Sequence, residues 1–192
     1  DSEGVSNVVL KYQVVLPGAY VPAYLPLDHA TINIAPLTPL TPNPAFTNEA
    51  SWTNVAMADN GVAPDATAGD GVYAGTIPGQ TNRALVRYRI KATDGSGAGE
   101  IVPYADDPSK NYACFVYNGI VPYVVTNATV QPGGVPYTYG TNVLSSLPVY
   151  FLLTRSNDLR VCWAYSAGDQ QIRGLPWYVE NWEAAVVYDG EV

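Results

Sequence analysis

The most regular pattern in the chain is an alternation of apolar and polar side chains over residues 84–93. The even-numbered side chains are apolar and the facing odd-numbered ones polar: Val86, Tyr88, Ile90 and Ala92 against Arg87, Arg89, Lys91 and Thr93. Successive side chains of a β-strand point to opposite faces of its sheet, whereas a helix would repeat about every 3.6 residues. The pattern therefore predicts a half-buried strand whose apolar face packs on a core and whose cations lie in water.

The neighbouring sequence supplies further strands, separated by turns rich in Gly, Pro, Asp and Asn. The strands that we predict are 8–16, 51–58, 72–77, 84–93, 99–103 and 111–117, with a short one at 30–35 among prolines. About seven strands at this spacing predict a mainly all-β fold, an immunoglobulin-like or fibronectin-III-like β-sandwich. A jelly roll or a small barrel is the alternative.

Composition limits the partners that such a fold can have. Hydrophobic residues make up 47% of the 192 and charged residues 14%, so we expect an ordered chain with a core. The formal net charge is −8, which argues against a nucleic-acid partner because phosphate binding needs a basic surface. No apolar run reaches the roughly 18 residues that a membrane-spanning helix needs, so we predict no membrane insertion.

The character of the sequence changes twice along the chain. We predict an immunoglobulin-like β-sandwich over 1–118, a Pro/Gly-rich connector over 119–147 and a small α+β segment over 148–192. This last segment is expected to hold a strand at 147–153, a helix at 156–165 and a final strand at 182–188. A piece of this size is too small to bury its own faces.

The final predicted strand is strongly apolar and lacks an obvious hairpin partner: Ala184, Ala185, Val186, Val187 and Tyr188. Asp189-Gly190 follows it as a hairpin-turn signal. We expect either a domain beyond residue 192 or another chain to supply the pairing. These five residues are therefore a candidate assembly strand.

One loop gathers several hard oxygen donors. Asp59, Asn60, Asp65 and Asp70 lie within twelve positions of one another, among glycines that allow a tight turn. Calcium binds about six to eight oxygen ligands of this kind, so the loop is a candidate calcium site, and no other cofactor is expected. The alternative is an ordinary turn, because Asp and Asn are common turn formers. Asp106-Asp107 could add ligands, or could form a solvated turn.

Catalytic and covalent signals are few. Cys114 and Cys162 are the two cysteines and could form one disulfide or remain separate small hydrophobic residues. His29 is the single histidine, and no Gly-x-Ser-x-Gly nucleophile motif accompanies it. The sequence therefore predicts no catalytic residue and no enzyme.

Three stretches carry a likeness to a known family: AGDGVYAGTIPGQ, RALVRYRIKATD and VPYADDPSKNYACFVYNG. They resemble the immunoglobulin-like module that precedes the kinase-like domain in bacterial spore-coat-H (CotH) kinase family proteins. Two later stretches resemble the opening strands of that kinase-like domain: LPVYFLLTRSNDL and NWEAAVVYDGEV. The resemblance runs from Pro17 onward and implies a secreted or surface-exposed bacterial protein. It transfers no catalytic residue, because this sequence shows no glycine-rich phosphate loop or metal-holding aspartate set.

The leading functional hypothesis is a non-catalytic extracellular structural module of a bacterial surface or secreted protein. It would act as a spacer or as a filament subunit, binding itself or adjoining domains of its own polypeptide through β-strand pairing. One alternative is an N-terminal fragment of a CotH-like atypical protein kinase, with the catalytic part beyond residue 192. Another is a calcium- or carbohydrate-dependent adhesion module, whose sugar-binding aromatics would be Trp163, Trp177, Tyr178 and Trp182.

Overall fold

A computed structural model of the chain describes residues 4–25, 41–125, 136–156 and 184–188. Its strands are β1 (Val5–Val15), β2 (Thr53–Met57), β3 (Leu85–Asp94), β4 (Gly99–Val102), β5 (Tyr112–Phe115), β6 (Tyr123–Val125), β7 (Tyr137–Tyr139), β8 (Tyr150–Leu153) and β9 (Ala185–Tyr188). Its helices are α1 (Pro44–Thr47), a 3-10 helix (Glu49–Ser51) and α2 (Thr141–Leu144). The described chain is mostly β, which confirms the prediction at that level. In this part of the chain, no helix has the length and apolar character to span a bilayer.

The main sheet has five antiparallel strands built around β3. Its order is β2-β1-β3-β4, and β5 also pairs with β3. β1 and β3 align over most of their length, so that Leu10 faces Ile90 and Val14 faces Val86. β6 with β7 and β8 with β9 form two separate antiparallel pairs.

Five of the predicted strands are confirmed as β1 to β5, with ends that shift by a few residues. The predicted strand at 72–77 is reduced to one bridge, between Ala58 and Ala74. Gly75 interrupts this stretch and Pro78 follows it, and both residue types weaken strand pairing. The strand predicted at 30–35 lies outside the described residues, as does the predicted helix at 156–165 apart from Ser156.

One end of the main sheet carries an apolar core. Val15 and Leu85 face each other across β1 and β3, and both are almost fully buried. Leu153 of β8 and Val187 of β9 pack on them, together with Tyr20. The β8–β9 pair therefore covers this end of the sheet with one of its faces, and burial of these side chains stabilises the arrangement by the hydrophobic effect.

The same face of the sheet is cationic at its other end. Gln13 faces Arg87 two residues along from the apolar pair, and Lys11 faces Arg89 four residues along. We expected these cations to lie in water, and that expectation is wrong. Arg87 is only 2% exposed, because the segment that holds α1 and the 3-10 helix covers this end.

The covering segment is stabilised by local caps and by aromatic contacts. Asn43 caps α1 by accepting a hydrogen bond from the backbone N–H of Ala45 at 3.0 Å, and Pro at the first helical position favours the same start. Phe46 and Trp52 are buried beneath it with their rings edge to face at 5.7 Å. This arrangement places two aromatic rings directly over the arginines.

The final strand has a partner within the chain, unlike our expectation. β9 pairs antiparallel with β8, so that Leu152 faces Val186 and Phe151 faces Val187. The two strands are separated by more than thirty positions in sequence, and the hairpin signal after β9 therefore did not indicate the true partner.

Candidate functional sites

The carboxylates of Asp59, Asp65 and Asp70 come together as the sequence predicted. One carboxylate oxygen from each lies within 4.8 Å of those of the other two. Asp59 is half-buried, Asp65 is buried and Asp70 is exposed. The cluster is thus open to solvent on one side, as an ion would require in order to enter.

Backbone hydrogen bonds hold the acidic loop in this shape. The Ala58–Ala74 bridge closes the loop with two hydrogen bonds of 2.9 Å each. The Asp59 carboxylate accepts hydrogen bonds from the backbone N–H groups of Gly69 at 2.6 Å and Gly71 at 2.9 Å. Asp59 therefore ties the start of the loop to its last turn and is fixed before any ligand arrives.

Gly61 is needed at the other turn of the loop. Its φ of +68° lies in the left-handed region, and an added Cβ would lie 3.0 Å from the backbone nitrogen of Ala68. Its N–H donates to the Asp65 carboxylate at 2.5 Å. That hydrogen bond, with weaker ones from neighbouring backbone N–H groups, holds the pKa of Asp65 below its usual value.

The remaining predicted donors serve as turn formers. Asn60 accepts a hydrogen bond from the N–H of Val62 at 3.0 Å, which is an Asx turn. Asp107 accepts from the N–H of Tyr104 at 2.7 Å and closes its own turn. Neither Asp106 nor Asp107 joins the cluster of three carboxylates found in the described part of the chain.

The three clustered carboxylates suit a hard divalent cation. Calcium takes about six to eight oxygens, and carboxylates bind it either through one oxygen or through both. Backbone carbonyls of the loop and water would have to complete such a set. In the absence of a cation, three carboxylates this close repel one another, and the loop hydrogen bonds offset part of that repulsion.

The candidate assembly strand has one buried and one exposed face. Val187 packs in the core, while the outward side chains of the β8–β9 pair are exposed: Tyr150 64%, Leu152 60%, Val186 53% and Tyr188 49%. The rings of Tyr150 and Tyr188 stack at 4.7 Å with an angle of 16°. Four apolar or aromatic side chains thus form a continuous outer surface, which we call the β8–β9 outer face.

The edges of this strand pair are also open within the described residues. β8 and β9 hydrogen-bond to each other and to no other described strand. Next to the end of β8, the N–H of Ser156 donates to the carbonyl of Gly18 at 3.1 Å, and Ala19 bridges Arg155. These contacts tie the pair to the turn that follows β1, and neither β8 nor β9 has a second strand partner among the described residues.

The other predicted site residues are only partly described. Cys114 is a free, exposed cysteine in β5, and partial burial of its thiol raises its pKa. Cys162 lies outside the described residues, so the disulfide stays a prediction. His29 and the aromatics Trp163, Trp177, Tyr178 and Trp182 also lie outside them.

No family model, no curated protein and no solved structure matches this chain. The resemblance to the spore-coat-H kinase family therefore stays a prediction.

Sequence reasoning missed the cluster of cations and aromatic rings on the sheet. The alternation of β3 showed that Arg87 and Arg89 share a face, but not which segment covers it. A usable signal was present in Phe46 and Trp52, two large aromatics that each follow a helix cap, Asn43 and Asn48 respectively, within four residues. Aromatic rings next to turn formers indicate a segment that packs on something.

Proposed function

We propose that the chain is a non-catalytic extracellular structural module that acts as a spacer or as a self-assembling subunit. The observation that carries this proposal is the β8–β9 outer face, together with the lack of a second strand partner for β8 or β9 among the described residues. Apolar side chains on the outside of a strand pair are an unusual feature of a monomer and are typical of a surface that binds another protein. A second copy of this chain would meet that surface with the same residues.

Strand pairing and side-chain burial would act together in such an assembly. An open strand edge offers backbone N–H and C=O groups in register, which give affinity when a neighbouring strand adds to the sheet. Fully burying a Leu, Val or aromatic side chain contributes about 1.5–3 kcal/mol, so four such residues per subunit offer a substantial driving force. Loss of translational and rotational freedom on association offsets part of it.

The finer fold assignment belongs to the same proposal. We infer an immunoglobulin-like or fibronectin-III-like sandwich in which the β8–β9 pair forms part of the second layer. Its support is the packing of Leu153 and Val187 across the main sheet onto Val15 and Leu85. The chain would then present its outer face on the side away from the main sheet.

Light scattering behind a sizing column, with electron micrographs of the same material, tests the assembly. We expect particles larger than the 20.5 kDa chain, and expect the double variant Leu152→Lys/Val186→Lys to be monomeric because two charges would be buried in the interface. Leu147→Lys is the matched control, since Leu147 is 64% exposed but lies outside the pair. Deleting residues 182–192 should also abolish assembly.

Two results would refute the self-assembling form of the proposal. One is a monomeric wild type at high concentration, which would leave only the spacer role. The other is an assembly that survives both the double variant and the deletion, since the contact would then lie elsewhere.

A calcium-dependent adhesion module is the second candidate. It is favoured by the convergence of the Asp59, Asp65 and Asp70 carboxylates within 4.8 Å. A ligand that binds only the folded state stabilises it, by about 2.7 kcal/mol at one hundred times its Kd. We therefore expect millimolar calcium to raise the melting temperature and a chelator to reverse the rise.

The calcium test needs a variant that preserves the loop. Asp70→Asn keeps the side-chain oxygen that accepts the Val72 N–H at 2.9 Å and removes one negative charge, so it should abolish the calcium effect. Asp106→Asn lies outside the cluster and should leave the effect unchanged. An equal melting temperature with calcium and with chelator would remove this candidate.

A further inference from the structure

A cavity opens at the cationic end of the main sheet, between β3, β4 and the covering segment. Its volume is about 480 Å³, within the range of about 300–1,000 Å³ that is usual for small-molecule sites. The residues that matter for its chemistry are Tyr24, Phe46, Arg89, Glu100, Tyr104 and Lys110. Most of the described lining is apolar or aromatic, and its charged residues are Arg89, Glu100 and Lys110.

Arg89 is held in place at this cavity by three contacts. Its Nε donates a hydrogen bond to the carbonyl of Lys110 at 2.9 Å. Its guanidinium carbon lies 4.2 Å from the ring centroid of Trp52 and 4.7 Å from that of Phe46. Cation–π contacts of this kind fix the plane of the guanidinium. The side chain is therefore oriented before any ligand binds.

The two terminal nitrogens of Arg89 are not held by such contacts among the described residues. Within the described part of the chain, neither donates a hydrogen bond and no carboxylate forms an ion pair with Arg89. Burial, and then the nearby charge of Arg87, lowers the pKa of Arg89, which means that its charge is held at a cost. An anion placed next to this guanidinium would favour its charged form.

Among the residues that the structure describes, no carboxylate forms an ion pair with Arg89. Glu49 forms its ion pair with Lys11 on the same face. Of the charged residues described in the cavity lining, one is an acid, Glu100, and two are bases, Arg89 and Lys110. The cavity is therefore locally positive, although the whole chain has a net charge of −8.

We infer that this cavity binds a small carboxylate-bearing molecule with an apolar body about the size of one ring. The carboxylate would accept two parallel hydrogen bonds from the terminal nitrogens of Arg89, a geometry that the planar guanidinium favours. The apolar body would pack against the aromatic lining, including Phe46 and Tyr104. This ligand site goes beyond the structural role proposed above and does not depend on it.

Titration of isotope-labelled protein, followed by NMR, tests the site with benzoate as the probe. Benzamide is the matched neutral ring and acetate the matched anion without a ring, all at constant ionic strength. We expect saturable benzoate binding with shifts at cavity residues, and binding roughly tenfold weaker for either analogue, since each lacks one of the two recognition elements. Phenyl phosphate binding as tightly as benzoate would overturn the assignment to a carboxylate.

Two variants and one control assign the binding to Arg89. Arg89→Gln should weaken benzoate at least tenfold, while Arg83→Gln, at an exposed position of the loop before β3, should leave it unchanged. Tyr104→Ala changes an exposed residue and should weaken benzoate about threefold, which tests the lining even if Arg89→Gln does not fold. The inference fails if wild type shows no saturable benzoate binding or if benzamide binds as tightly as benzoate. It also fails if Arg83→Gln and Tyr104→Ala change the affinity for benzoate by the same factor.

Discussion

Leu85 and Arg87 lie towards the two ends of one face of the main sheet, and both are buried, by different means. Leu85 is 1% exposed at the apolar end and Arg87 is 2% exposed two residues later. β8 and β9 cover Leu85 with aliphatic side chains. The α1 segment covers the arginines with rings, and Tyr20 lies 4.4 Å from the guanidinium carbon of Arg87.

The difference shows how a cation can be buried on a sheet that has few acids. At the apolar end, water is removed from hydrocarbon, which is favourable in itself. At the cationic end, removing water from a charge is costly and has to be compensated. Arg87 donates to the carbonyl of Val21 and lies over two rings, and Lys11 pairs with Glu49. Neutral carbonyls and aromatic faces therefore contribute to this compensation at the cationic end.

Leu85→Ala should produce the largest loss of stability, because it opens a cavity at the apolar end. We expect it to lower the free energy of unfolding by about 2–5 kcal/mol, measured by urea denaturation. Leu152→Ala, in β8 but outward-facing, should cost less than about 0.5 kcal/mol in a monomeric background. Equal losses for the two variants would contradict the packing of the β8–β9 pair on the sheet.

A double-mutant cycle between Phe46 and Arg89 measures the ring–cation contact at the other end. We expect Phe46→Leu and Arg89→Met to show a coupling of about 0.5–2 kcal/mol, since each removes one partner of the same contact. Phe151 packs against Phe115 at the apolar end, with the two rings tilted by 43°, and serves as the control. The cycle of Phe151→Leu with Arg89→Met should show a coupling near zero, and a similar coupling in both cycles would remove the distinction between the ends.

Glu49→Gln should have a smaller effect. The Lys11 side chain is 11% exposed and that of Glu49 61% exposed, so water screens the pair from one side. We expect a loss of under about 1 kcal/mol, which decreases as salt is added because ions screen the pair further. Glu100→Gln, which breaks no described ion pair, should change stability by less than Glu49→Gln at low salt. A larger change in stability for Glu100→Gln than for Glu49→Gln would show that the Glu49 carboxylate does not stabilise the buried cations.

The pH dependence of stability should reveal the cost of burying Lys11. Burial, followed by the charges of Lys91 and Arg89, lowers the pKa of Lys11 from 10.5. At pH values between the lowered pKa and 10.5, Lys11 is still protonated in the unfolded chain but has lost its proton in the folded protein. Stability from this residue therefore rises with pH in that window. Urea denaturation should show that rise in wild type relative to Lys11→Met, and parallel curves would contradict it.

Much of the secondary structure followed from the sequence, since alternation reports which side chains share a face. The strands of the main sheet were predicted from this pattern, and the β3 alternation between Val86 and Arg87 describes its two faces correctly. The acidic loop was also predictable, because Asp59, Asp65 and Asp70 lie close in sequence around glycines with a positive φ. A turn depends on residues that are close in sequence, so the sequence alone can predict it.

The tertiary structure decided what covers each face. Period-two alternation cannot distinguish a polar face in water from one beneath aromatic rings, so Arg87 and Arg89 were wrongly placed in solvent. β9 found its partner in β8 across more than thirty residues, a pairing that no turn signal marks. The cavity beside Arg89 likewise joins residues from positions 23 to 110. Such contacts depend on the packing of segments that are distant in sequence, because burial is a property of the whole fold and not of a single strand.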